Sequence, residues 1–181
     1  IMKYRISVGF IFFVFILISA QKIGWSENRK LIWSDFKTKD NLGKDIGVVA
    51  FANVGMGYSA ETTTNPKAPV SIKVSVFFDP EKSWKVDYIK GDRVLVHEQK
   101  HFDVAEIFGR KLRKLIIENI KNSLDYQKKF IPIYKDNLAE YKSFQKKYDT
   151  ETNHGLNEEK QLEYNLVIAE ELRKLNKYRE N

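Results

Sequence analysis

The chain has 181 residues, 43% hydrophobic and 30% charged, with a formal net charge of +7, three histidines and no cysteine. That length holds one domain with a real core rather than two, and the balance excludes both a disordered chain and one buried throughout in a membrane. Without thiols there is no disulfide framework and no thiolate metal site, so a metal would have to be held by His, Asp or Glu.

Residues 1–20 stand apart from the rest. Lys3 and Arg5 precede the apolar run "ISVGFIFFVFILISA", which ends on the small residues Ser19 and Ala20. A basic head, an apolar segment and a small-residue end have the form of a secretory signal peptide, with an uncleaved N-terminal anchor as the alternative. Either places the domain over 21–181 outside the cytoplasm, periplasmic or secreted, with envelope association through the first segment in the anchored case. The remaining positive charge is scattered along helices as a solvated face, and no nucleic-acid motif accompanies it.

From 46 to 90 the pattern is strand-like. In "VSIKVSVFF" Ile72, Val74 and Val76 alternate with Ser71, Lys73 and Ser75, which predicts a half-buried strand bounded by Pro69 and Pro80. "SWKVDYIK" predicts a further short strand ended by Gly91. Thereafter the sequence is helical. Asp92 is placed to cap a long helix over roughly 93–123, with an apolar stripe through Val94, Ala105, Phe108, Leu112, Leu115 and Ile116. Pro132 predicts a break, followed by a second helix over roughly 135–153 that ends at Gly155. Asn157 predicts the cap of a third, with Leu162, Leu166, Ala169 and Leu172 as its inward stripe. Strands first and helices after give an α+β fold, a small N-terminal sheet followed by long helices.

The chemistry concentrates in "VLVHEQKHFDVAE", residues 94–106. His97 and His101 lie four apart on the predicted helix, hence on one face, and two imidazoles so placed can grip one Zn²⁺. Glu98 leans toward the same cleft without reaching the metal, where a general base for an attacking water must stand. Their face continues the apolar stripe, so both rings look inward and need partners. Lys100, between Glu98 and His101, is charged, and its stem must bend out to solvent. Asp103 and Glu106 read as structural partners of nearby Arg or Lys.

A catalytic zinc needs a third protein ligand and keeps a fourth position for water. "YDTETNHG" offers His154, with Asp149 and Glu151 as alternative ligands or as acceptors for a histidine N–H. Tyr148 is by default a core residue and otherwise an oxyanion donor. A second helix antiparallel to the first would bring this block back beside His97.

Together "HEQKHFDVAEIFGRKLR", "YDTETNHG" some fifty residues on, and the opening "IGWSENRKLIWSDFK" resemble a bacterial family of secreted, predicted zinc-dependent peptidases catalogued as a domain of unknown function. The resemblance runs from about Trp25 to Gln161. It implies a zincin-like fold with the HExxH helix under a small sheet, His97, Glu98 and His101 in the metal and base positions, and the Tyr148–His154 block as the second motif. Lys100 stands where that family more usually has a small residue.

The sequence thus predicts an exported zinc metallohydrolase, a peptidase, acting on an unidentified peptide or protein. Its rivals are an envelope scaffold or binding module with a structural zinc, and a zinc amidase acting on cell-wall material. The alternating strand at 71–78 is either an edge for an extended peptide substrate or a central strand closed to it.

Overall fold

A computed structural model describes residues 21–38, 48–89 and 91–180; the apolar segment at 1–20 lies outside the described residues. Strands come first: β1 (Ile23–Gly24), β2 (Ala50–Phe51), β3 (Val54–Glu61), β4 (Ser71–Phe78) and β5 (Trp84–Lys85). Three helices follow, α1 (Asp92–Asn119), α2 (Ser123–Thr152) and α3 (Glu158–Lys174). The architecture is α+β, with a small antiparallel sheet and a three-helix layer. Among the described residues no helix is long and apolar enough to cross a membrane.

The main sheet has the order β1-β4-β3, all antiparallel, and β2 pairs separately with β5. β4 keeps its predicted alternation, with Val74, Val76 and Phe78 buried and Ser71, Lys73 and Ser75 exposed. Of the two positions open to it, edge or centre, it takes the centre. β3 pairs with it from Val54↔Phe78 to Glu61↔Ser71, and β1 covers Phe77 and Phe78 on the other side. Beyond β1, Arg113 donates from Nε and a terminal nitrogen to the carbonyl of Val74 at 3.0 and 2.9 Å. β4 is thus paired with β3 along its whole length, and on the other side its carbonyls at Val74 and Val76 and its end at Phe77 and Phe78 are taken, so it is not a free edge.

α1 runs through the centre. Every residue from Phe102 to Arg110 is buried, because the sheet lies on one side and α2 and α3 on the others. A helix buried all round needs its polar groups paired internally. Glu106 accepts from Arg110 at 2.8 Å and from Arg113 at 3.2 Å, and Arg110 donates on to the carbonyl of Leu172 in α3 at 2.6 Å. Asp103 accepts from Trp25 Nε1 at 2.9 Å, Gln99 at 2.8 Å and Lys100 at 2.8 Å. Both acids therefore have the structural partners expected of them, and Lys100 turns away from the histidines into its own ion pair.

The helices depart from the sequence expectations in three places. α1 is capped by Gly91, and Asp92, the expected cap, is its first helical residue. α2 starts at Ser123, capped by Asn122, and passes through Pro132 without ending. Pro132 is exposed, so the carbonyl it leaves without a helical donor can bond water, while Phe130, Ile133 and Tyr134 pack on both sides of it. α3 is capped by Asn157 as expected, but its inward stripe is Gln161, Tyr164 and Ile168. Leu162 and Leu166 face solvent, one helical step round from where hydrophobicity alone puts them.

α1 and α2 are antiparallel, as Asn137 bonding the carbonyl of Phe108 and Gln145 bonding that of His101 show. α3 returns alongside α1, Arg93 reaching Glu158 at one end and Arg110 reaching Leu172 at the other. α1 comes close to the sheet at Gly109, where a Cβ would stand 2.5 Å from Cγ2 of Val76. Val76 is buried and β-branched and has no room to yield. Gly109→Val is expected to cost roughly 3 kcal/mol by overpacking, read as a lower urea midpoint; an unchanged midpoint would show that this contact is not tight.

Candidate metal centre

α1, α2 and α3 each bring one layer of the site. His97 and His101, one turn apart on α1, point into the seam with α2, where Asp149 meets them. His97 Nε2 lies 3.1 Å from His101 Nε2, and Asp149 Oδ1 lies 3.2 Å from the first and 2.9 Å from the second. These three side chains form a group able to hold a metal ion. Ligands at about 2.0–2.2 Å from a tetrahedral ion stand roughly 3.3 Å apart, so the spacing fits a small divalent cation with little movement.

The far side of each ring decides what the near side offers. His97 Nδ1 is 3.0 Å from Gln161 Oε1, and His101 Nδ1 is 2.7 Å from Gln145 Oε1. The amide orientations follow from their other bonds. Gln145 Nε2 donates to the carbonyl of His101 and to Tyr141, and Gln161 Nε2 donates to Asn165 and Tyr148. Both oxygens therefore face the rings and accept the Nδ1 protons, which leaves both Nε2 lone pairs aimed at one carboxylate oxygen. Three lone pairs within about 3 Å repel unless a cation stands among them.

The titration behaviour agrees. Burial pushes Asp149 toward its neutral form, but hydrogen bonds and charge from His101 and His97 outweigh it and hold the carboxyl well below the usual carboxylate range. Burial likewise opposes charging His101; bonding to Asp149 and the charges of Glu98 and Asp149 prevail, and its pKa rises. Asp149 thus keeps its negative charge and favours positive charge beside it, whether a proton on His101 or a cation.

The second motif divides its residues sharply. Tyr148, fully buried, stacks on His97 with centroids 4.7 Å apart and planes 16° apart. Its hydroxyl is 3.3 Å from the carbonyl of His97 and 3.0 Å from Gln161 Oε1, and it accepts from Gln161 Nε2 at 2.8 Å. Burial pushes its pKa far upward. An oxyanion role for Tyr148 does not fit this arrangement: the hydroxyl is engaged behind the ring, and Tyr148 does not line the cavity in front of it. Glu151 faces the other way, accepting from Tyr164 at 2.8 Å, and so is not among the converging atoms.

His154 is displaced from the expected ligand position, which Asp149 takes. α2 ends at Thr152, and Asn153, His154 and Gly155 follow with φ of 47°, 52° and 80°. This left-handed turn swings His154 outward, half-exposed, with Nδ1 3.6 Å from Asp149 Oδ1. The turn is pinned by Arg93, which donates to the carbonyl of Gly155 at 3.0 Å and to that of Leu156. Gly155 itself packs on His97; a Cβ there would lie 2.9 Å from the Cβ of His97.

A cavity of about 420 Å³ opens in front of the group, lined by His97, Glu98, His101, Asp149 and His154 and walled opposite by residues 48–54. Glu98 is buried, and its Oε2 accepts the backbone N–H of Ala52 at 2.7 Å, which ties the carboxylate to that wall. Neither a family model, nor a curated protein, nor a solved structure matches this chain.

Two predictions test the site. Gln161→Leu removes the acceptor behind His97 while keeping similar bulk, and should weaken metal binding about 10–100-fold in a competition titration. An unchanged affinity would show that the amide does not set the tautomer. Gly155→Ala combines a left-handed backbone with a clash on His97; it should lower the thermal midpoint and loosen the metal together, whereas a loss of stability alone would separate the turn from the site.

Proposed function

We propose that the chain is an exported zinc-dependent metallohydrolase of the peptidase class. One observation carries this reading: two imidazole lone pairs and a carboxylate oxygen, all on buried or half-buried side chains, converge at the head of a cavity that also holds a buried glutamate. His97, His101 and Asp149 would hold the ion, and three protein ligands leave a place for water. Zinc supplies Lewis acidity there, lowering the pKa of a water toward ~7 and polarising a carbonyl.

The chain's own residues do the rest. Glu98 is the general base, a carboxylate lining the cavity beside the ligands and fixed in aim by the Ala52 N–H; it takes the proton from the attacking water and returns it to the leaving amine. His154, on its left-handed turn at the mouth of the same cavity, is placed to donate a hydrogen bond to a developing oxyanion. Gln145 and Gln161 keep the rings in the tautomer that binds.

The substrate reading moves with the sheet topology. β4 is central, so an extended peptide would lie along the wall at 48–54, where Val48, Val49, Phe51 and Val54 offer apolar contact. The resemblance in the HExxH and "YDTETNHG" blocks supports the same class. Export rests on the apolar segment at 1–20 and its basic head.

The deciding experiment measures zinc per chain and hydrolysis together, on peptide and on cell-wall substrates. Wild type should bind about one zinc; His101→Ala and Asp149→Ala should lose it, and His154→Ala should keep it. Glu98→Gln should retain zinc and lose at least about a thousandfold in activity. Full zinc with no hydrolysis of either substrate in wild type would favour a scaffold with a structural ion, and hydrolysis surviving in Glu98→Gln would sink the mechanism.

A further inference from the structure

α3 presents to solvent an apolar ridge that the fold leaves uncovered. Leu162 is 64% exposed, Leu166 74% and Val167 50%, while Ala169 lies exposed on the same side. Isolated exposed leucines are ordinary, but these fall at 162, 166 and 169, the spacing of a helical seam that expects another helix. No described element packs on them; the inward face of α3 is the other one, through Gln161, Tyr164 and Ile168.

The charges along the ridge point to what covers it. Glu159 lies seven residues before Leu166 and Arg173 seven after, about two turns either way, and both are exposed. The first turn of α3 is acidic, with Glu158 and Glu159, and the last basic, with Arg173 and Lys174. A helix with this pattern is complementary to itself run backwards.

We propose that α3 is a self-association face on which a second copy of this chain pairs antiparallel about a two-fold axis at Leu166. Leu166 then meets its own counterpart, Leu162 stands level with the partner's Glu170 and leans toward the partner's Ala169, and Glu159 faces the partner's Arg173, twice by symmetry. Among the described residues Arg173 bonds Glu170 of its own helix, through two nitrogens at 2.8 Å, an exposed pair that can open to admit a second carboxylate. A parallel arrangement would set acidic against acidic and basic against basic ends, so the charges select the antiparallel one. The metal group is on the opposite, inward side of α3, behind Gln161, and dimer formation leaves it unchanged.

The full chain, which has no cysteine of its own, makes the register testable with single thiols. Leu166→Cys should form a disulfide-linked dimer on mild oxidation, whereas Leu156→Cys, exposed but well off the two-fold axis, should not. In sedimentation across the micromolar range, Leu166→Glu should weaken the dimer at least about a hundredfold, with its circular dichroism and zinc content unchanged because the side chain is 74% exposed in the monomer. Any association through residues 1–20 is common to all variants and would not respond to this substitution. Glu159→Arg and Arg173→Glu should each weaken the dimer and the double reversal should restore it. A wild type monomeric throughout, a dimer indifferent to Leu166→Glu, equal crosslinking at 156 and 166, or a double reversal no better than its singles would overturn the proposal. Since zinc and activity are read separately, this failure would leave the metallohydrolase reading standing.

Discussion

Two imidazoles can aim their Nε2 lone pairs at one point only if something behind each ring holds the Nδ1 proton. In this molecule both holders are glutamines, and they come from different helices: Gln145 from α2 and Gln161 from α3. α1 must therefore be enclosed on both sides at the level of its histidines, and the antiparallel α2 and returning α3 are what enclose it. Asp149 then arrives one turn after Gln145 on the same face of α2, so the ring-holder and the third converging atom share one rigid element. Packing around α1 and the chemistry at its head are a single constraint.

The buried charges follow from the same enclosure. A helix covered on every side cannot discharge its acids into solvent, and Asp103 and Glu106 would each be costly if unpaired. Asp103 collects three donors and Glu106 two guanidinium groups, which run on to the sheet at Val74 and to α3 at Leu172. These networks lock the angle of α1 against sheet and helices. That angle in turn decides whether Glu98 reaches the Ala52 N–H across the cavity.

What the sequence made legible was local. Two histidines four apart with a glutamate between them need only one helix to converge, and the alternation of 71–78 needs only one strand. Which side chain supplies the third converging atom depended on geometry beyond local reach. Tyr148, Asp149, Glu151 and His154 are close together in sequence, but the helix keeps Asp149 on the face of Gln145 and turns Glu151 toward Tyr164, and the three left-handed residues that follow it throw His154 out to the cavity mouth. A glycine at 155 signalled an end to the helix, but two further positive φ values at Asn153 and His154 are set by Arg93 from another element. The same holds for Pro132, whose effect depended on which side of α2 faced water.

α3 is where chemistry and hydrophobicity compete. Leu162 and Leu166 are each worth on the order of 2 kcal/mol if buried, and a helix steered by that alone would turn them inward. Turning them inward would carry Gln161 out of reach of His97 and Tyr148 and would expose Ile168 and Tyr164, which close the core over Phe144 and Tyr148. The observed rotation buries one isoleucine and one tyrosine and keeps the ring-holder in place, so the apolar area it gives up is largely recovered on the other face. What is not recovered is the ridge left in water, and its position is thereby a consequence of the site: the orientation that fixes the tautomer of His97 is the one that turns Leu166 outward, where only a second surface can cover it.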